Sequence, residues 1–217
     1  MNLAIFDLDN TLLGGDSDHS WGEFLIAKNL VPPLEYKKQN DQFYEDYKNG
    51  NLNMLAYQEF ALAPLARFSM LQLRELHNAF MEEVISPMRL PKADALIEKH
   101  RQLGDELLII TATNRFITQP IAEALGITNL LATEAEIVNE TYTGNVLGEP
   151  CYKDGKITRL NTWLAAQKMQ PAHTCFYSDS ANDIPLLSQV DEAIAVDPDE
   201  KLKAHAQENN WRIISLR

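Results

Sequence analysis

From Pro87 to the C-terminus, short apolar runs alternate with helical patterns, and that alternation leaves the chain few architectures. The spacing predicts helices over Lys92–Gln102, Phe116–Leu125, Lys156–Lys168, Asp183–Ser188 and Glu200–Glu208, the first two stopped by Gly104 and Gly126. Strands are expected at Glu106–Ile110, Leu130–Ala132, Thr174–Tyr177, Ala193–Val196 and Trp211–Ser215, with a hairpin over Glu136–Val146 turning near Asn139-Glu140. Strands separated by helices make right-handed crossovers, so the expected class is α/β with a parallel, Rossmann-like sheet covered on both faces.

One strand stands apart. Leu3–Phe6 is apolar and stops at Asp7, as a buried parallel strand does when its carboxyl end reaches a site. From about Asp18 to Ser86 the pattern is helical, with Trp21, Phe24, Phe43, Phe60, Leu73 and Phe80 among its apolar positions and Pro32-Pro33, Asn49-Gly50 and Ala63-Pro64 as breaks. About four helices and no strand are expected there. The division that follows is a core of residues 1–15 and 87–217 and an all-helical cap of residues 16–86, inserted over the carboxyl ends of the strands where open α/β sheets bind ligands.

With 45% apolar and 23% charged residues, the 217-residue chain has the composition of a packed globular protein. Its net charge of −12, without a Lys/Arg run, argues against nucleic acid and anionic membranes as partners. No apolar run is long enough to cross a bilayer. The start of the chain has no basic segment followed by a long apolar one, so a cytoplasmic location is expected. Cys151 and Cys175 lack metal-type spacing and are expected as reduced thiols. An acidic protein that handles phosphate must import positive charge, through a divalent cation or a few placed Lys and Arg residues.

Four segments carry candidate chemistry. In Asp7-Leu8-Asp9-Asn10-Thr11, alternating carboxylates converge after the first strand and call for a cation, unless the segment is simply a turn and helix cap. Leu108–Asn114 is a strand ending in small hydroxyl residues ahead of a helix, which suits phosphate but also suits any strand-to-helix turn. Lys156 opens a helix after Lys153-Asp154-Gly155, either as a counter-charge for a phosphoryl oxygen or as a surface lysine. Phe176–Asp183 ends in Asp179 and Asp183, spaced so that one touches a metal while the other braces it.

In this order the four segments resemble the haloacid dehalogenase superfamily, and the helical insertion resembles its C1 cap, in the branch that includes phosphoserine phosphatase. The resemblance implies a Mg²⁺-dependent phosphatase working through an aspartyl phosphate on a small phosphorylated metabolite, as a monomer or homodimer. It makes Asp7 the nucleophile and Asp9 the general acid and base. It places phosphate at Asn10, Thr111, Ala112 and Lys156. Asp7, Asp9 through its carbonyl, and Asp179 would hold the metal, with Asp183 behind. Ser178 stands where many relatives have Gly. A phosphotransferase would share Asp7, whereas Asp9 favours hydrolysis.

The entrance to the cap adds substrate candidates. Asp16, nine residues after Asp7, matches an acidic residue that binds the substrate amine in such relatives, or else it caps the first cap helix. His19 and Trp21 are read as an aromatic wall or as structural groups, and Asn114 and Asn182 as further substrate contacts. Arg67 and Arg89 are the cap arginines available to a carboxylate, with solvent or structural pairing as the alternative. The other histidines are assigned to the surface or to structure. Because the acidic and aromatic residues are better placed than either arginine, histidinol phosphate is the first expectation for the substrate and phosphoserine the second.

Overall fold

Strand β1 (Leu3–Phe6) has no exposed residue, because in the computed structural model, which describes residues 1–217, it lies mid-sheet and is packed on both faces. Its side chains alternate: Ala4 and Phe6 enter the larger apolar cluster, Leu3 and Ile5 the smaller one on the opposite face. After β1 come only helices: α1 (Ser17–Ala27), α2 (Pro33–Asn49), α3 (Met54–Leu62), a 3-10 turn at Ala63–Arg67, and α4 (Met70–Phe80), which runs through a π turn at Met81–Ile85 into α5 (Ser86–Met88). The chain leaves and re-enters beside itself, where Leu13 bridges Arg89 and the Gly14 N–H donates to the Met88 carbonyl at 2.8 Å.

The remainder alternates: α6 (Pro91–Leu103), β2 (Glu106–Asn114), α7 (Arg115–Ala124), β3 (Asn129–Val138), β4 (Thr141–Leu147), α8 (Asp154–Ala166), β5 (Thr174–Ser178), α9 (Ile184–Leu187), β6 (Glu192–Val196), α10 (Glu200–Glu208) and β7 (Arg212–Ile214). The seven strands lie in the order β4-β3-β2-β1-β5-β6-β7, all parallel except β4, which returns antiparallel to β3. No helix is long and apolar enough to cross a membrane.

Two strands differ from expectation. β2 runs on through Thr111–Asn114, with a register shift against β3 after Ile110, and β3 is continuous with the first arm of the hairpin. Thr and Asn read as turn formers in the sequence. Here the Thr133 hydroxyl donates to the Ala112 carbonyl at 2.7 Å and holds the two strand ends together. The hairpin turns at Asn139-Glu140, both at positive φ (50° and 57°), the pairing that a two-residue turn of matching twist requires.

The helical segment does not float above the sheet. Trp21, Phe24 and Phe80 join Phe116 of α7 in edge and stacked ring contacts 5.1–5.5 Å apart and belong to the same apolar cluster as Phe6. Asp16 caps α1, and Ser69 with Gln72 forms a capping box on α4.

Candidate active site

Register sets the site. Phe6 is level with Ile109 of β2 and Tyr177 of β5, so the residues that follow these three strands emerge side by side at one edge of the sheet. The Asp7 N–H donates to the Tyr177 carbonyl at 2.9 Å, which fixes the backbone of β1 just where its strand ends. Asp7 is 4% exposed.

Lys156 reaches Asp7 from beneath. Gly155, where a Cβ would collide with the Pro150 carbonyl, lets the first turn of α8 press against the preceding loop. From there Lys156 Nζ donates to Asp7 Oδ1 at 2.9 Å and to the Asp183 carboxylate at 2.8 Å, and Ser178 Oγ donates to Asp183 Oδ2 at 2.7 Å. Burial alone favours a neutral amine, but Asp183 and Asp7 outweigh it and hold the group as an ammonium. Asp7 is itself pushed up to about 7 by burial, with Lys156 pulling in the opposite direction.

Asp179 accepts from Thr11 Oγ1 at 3.1 Å, and burial first, then Asp7 and Asp183, drive its carboxyl well above the usual range. One ammonium therefore faces three crowded carboxylates. That excess of oxygen donors and of negative charge is the donor chemistry of a hard divalent cation, so Asp7 and Asp179 fit Mg²⁺. Asp9 sits between different partners: Oδ1 accepts the Ser17 N–H at 2.6 Å and Oδ2 the Thr113 hydroxyl at 2.8 Å. Burial, then the charge of Asp16, raises it to about 7, where a carboxyl can give or take a proton near neutrality.

Above these groups is a cavity whose floor is Asp7, Asp9, Thr111, Ala112 and Thr113. Its roof is Asp16, Asp18 and His19 from the start of α1, Asn40, Phe43, Tyr44 and Tyr47 from α2, and Leu52, Met54 and Tyr57 around the start of α3. No Lys or Arg lines it. Burial and the nearby aspartates raise Tyr47 and Tyr57, so both hydroxyls stay protonated as donors.

Asp16 fills both of its expected positions: Oδ1 accepts the His19 N–H at 2.8 Å as helix cap, and the side chain lines the cavity. His19 also lines it, stacked on Tyr44 with ring centroids 4.7 Å apart and its Nε2 3.0 Å from Asp41.

Four expected contacts are corrected. Trp21 is 2% exposed and lies in the aromatic cluster with Phe24, Phe80 and Phe116, because two residues beyond His19 a helix has turned to its opposite face. Asn10 adopts φ 56° and spends its N–H on the Gly15 carbonyl at 2.9 Å, closing the loop outside the cavity wall. Asn114 caps α7 by accepting the Ile117 N–H at 3.3 Å, and Thr113 faces the cavity in its place. Asn182 joins Tyr47 to Tyr152 and forms no part of the wall. Arg89 pairs with Asp94 at 2.6 Å and Arg67 is exposed, so neither arginine reaches the cavity.

The sequence reasoning missed Asp18, Thr113 and the tyrosines of the roof. Phe43 reads in the sequence only as an apolar helical position, although the tyrosines that follow it on the same helix, Tyr44 and Tyr47, are themselves a sign of a half-polar wall.

Residues 4–188 match the family of haloacid dehalogenase-like hydrolases, and the chain belongs to it. It is 48% identical over 220 residues to a histidinol-phosphatase of Neisseria meningitidis serogroup C, covering 100% of this chain and 99% of that one. It is 31% identical over 217 residues to a phosphoserine phosphatase of Mycobacterium tuberculosis, covering 99% of this chain and 70% of the relative. A solved structure of a protein of unknown function from Bordetella pertussis Tohama I superposes with a TM-score of 0.94 at 40% identity, covering 100% of this chain and 99% of the other. A phosphoserine phosphatase holding a phospho-aspartyl intermediate analogue shares the fold, with a TM-score of 0.71 at 18% identity, covering 100% and 93%.

Proposed function

We propose that this protein is a Mg²⁺-dependent phosphatase that hydrolyses histidinol phosphate through a phosphorylated Asp7. The observation that carries the choice of substrate is the cavity wall: Asp7, Asp9, Asp16 and Asp18 line it and no Lys or Arg does. A leaving group that fits there carries positive charge and no carboxylate. The carboxylate of phosphoserine would face Asp16 and Asp18 with no arginine to receive it, whereas the ammonium and imidazole of histidinol phosphate meet acceptors. The name of the 48%-identical relative supports the same reading.

In the proposed reaction an Asp7 carboxylate oxygen attacks phosphorus, forming the aspartyl phosphate as the ester P–O bond breaks. Asp9 gives its proton to the departing alkoxide, then takes one from the water that cleaves the aspartyl phosphate and returns Asp7. Thr111 and Ala112 in the cavity floor are the proposed phosphate contacts, with Lys156, behind Asp7 and outside the cavity lining, as the counter-charge for a phosphoryl oxygen. Lys156 also keeps Asp7 oriented, and Asp183 and Ser178 brace Lys156. Mg²⁺, for which Asp7, the Asp9 carbonyl and Asp179 are the proposed ligands with Asp183 behind, supplies screening between the anionic nucleophile and the phosphate. On this reading residues 16–86 cap a core of residues 1–15 and 87–217, and the enzyme acts on cytoplasmic metabolites as a monomer or homodimer.

The test is steady-state turnover of phosphorylated metabolites with Mg²⁺. The expected result is that histidinol phosphate gives the highest kcat/KM in a panel that includes phosphoserine. A higher value for phosphoserine overturns the assignment, and transfer of the phosphoryl group to an added alcohol in preference to water makes the protein a transferase.

A further inference from the structure

We propose that Asp18 is a specificity-determining residue which, paired with Asp16, forms a two-carboxylate subsite for an alcohol carrying both an ammonium and a ring N–H donor. The inference rests on the proposed histidinol phosphatase reading and deepens it by giving each nitrogen of the leaving group an acceptor.

Asp18 is 8% exposed, lines the cavity, and has a buried Oδ1 with no hydrogen-bond partner. No other carboxylate in the wall has a buried oxygen without a partner: Asp7 has Lys156, Asp9 has Ser17 and Thr113, and Asp16 has the His19 N–H. A carboxylate oxygen left without a donor in a dry place costs free energy, and it is kept where a ligand completes it. Acids in the first turn of a helix ordinarily face water and complement the helix dipole. This one is turned inward, where the hydroxyls of Tyr57 and Thr113 are its hydrogen-bonding neighbours and the negative charges of Asp16 and Asp9 lie beside it, and its Oδ1 still has no partner. Burial and those two charges push its carboxyl well above the usual range, a condition that an arriving cation relieves. Asp16 and Asp18 therefore suit two N–H donors sharing positive charge, and Phe43 and Tyr44 add aromatic surface to the same wall for a flat ring.

Unaltered enzyme and Asp18→Asn are compared on three substrates: histidinol phosphate, phenylalaninol phosphate, which keeps the amine but has no ring N–H, and p-nitrophenyl phosphate, which has neither. The expected result is a KM for histidinol phosphate raised roughly tenfold or more in the variant, the fold-change of a lost charge-assisted hydrogen bond. Its kcat, and the KM for the other two substrates, stay within about twofold. The melting temperature does not fall, since an amide of the same shape replaces a buried carboxyl one of whose oxygens has no partner. An unchanged KM for histidinol phosphate overturns the inference and leaves the phosphatase reading standing. Equal losses on all three substrates make Asp18 structural, and an equal rise for phenylalaninol phosphate makes it an amine contact only, and either outcome overturns the subsite. If the unaltered enzyme does not turn over histidinol phosphate, both readings fall. Independently of any variant, the unaltered enzyme should show a KM for histidinol phosphate roughly tenfold below that for phenylalaninol phosphate, and equal values overturn the inference.

Discussion

Asn182 Nδ2 donates to the carbonyl of Tyr47, 135 residues earlier in the chain, at 3.2 Å, and its Oδ1 accepts the Tyr152 hydroxyl at 3.0 Å. The contact is one of three on the same helix end, because Lys153 Nζ donates to the Gly50 carbonyl and Lys201 Nζ to the Asn49 carbonyl, each at 3.0 Å. The last carbonyls of α2 have no partners within the helix and carry the negative end of its dipole. The core grips them with two ammonium groups and an amide.

Asn182→Ala removes one finger of that grip, leaving the Tyr47 carbonyl only the Gly50 N–H and the Tyr152 hydroxyl without its acceptor. The expected cost is about 1 kcal/mol in urea unfolding, with limited proteolysis of the Gly50–Asn53 connection faster than in the unaltered protein. An unchanged cleavage rate would show that the contact does not hold α2 down.

Asp7→Asn conserves shape and leaves Lys156 an acceptor oxygen, so the variant should fold and show no turnover. Asp9→Asn should lower kcat by at least about 10²-fold, as for a lost general acid and base. Thr113→Val removes only one of the two donors that orient Asp9 and should fall between these variants and the parent. Wild-type kcat in Asp7→Asn would end the covalent mechanism.

Lys156→Met places an apolar side chain of similar length against two buried carboxylates, Asp7 and Asp183. Breaking a buried pair by removing one partner costs about 3–5 kcal/mol. Unfolding of the variant in EDTA should show a loss of that order, and Mg²⁺ should recover part of it. Equal stability of variant and parent in EDTA would mean that the carboxylates are satisfied without the ammonium.

The metal-free protein should lose stability as pH rises. Asp7 and Asp9 move from an ordinary 3.8 to about 7 on folding, and Asp16, Asp18 and Asp179 are also raised. A carboxyl that binds its proton more tightly when folded stabilises the fold at low pH, and that contribution fades between about pH 4 and about pH 7. Buried His77 is shifted down and works in the other direction, but it is one group against five. The melting temperature in EDTA should therefore be higher near about pH 5 than near about pH 7.5, with Mg²⁺ closing the gap. A melting temperature in EDTA that climbs over this range contradicts the geometry of the carboxylates.

What the sequence reveals follows from where each residue acts. Asp7 and Asp179 each come directly after a strand and Thr111 lies toward the carboxyl end of a third, so the order of strands in a parallel sheet is enough to bring them to one edge. The cap residues are different. Which face of α1 looks down on Asp9 depends on how α1 packs against α7, and nothing local to Asp16–Trp21 encodes that rotation. The sequence therefore does not single out Asp18, and it leaves Trp21 open between the cavity wall and the interior. Asn114 reads as a contact in place of Thr113 for a related reason: β2 continues past Ile110, and one residue along a strand changes the face a side chain occupies.

The place of β1 in the sheet has a consequence for how the protein is made. Its partners begin at Glu106 and Thr174, so β1 must wait until both of those later strands have been made before both of its edges are paired. The helices between need only near neighbours to start forming and can do so long before. Leu3–Phe6 is meanwhile a short apolar segment with open hydrogen-bonding edges, the kind of element on which chaperones and aggregates both act. The residue proposed to attack phosphorus is made well before the strands that hold it in place, so a nascent chain that stops short of them carries the nucleophile with none of the machinery that would make it reactive.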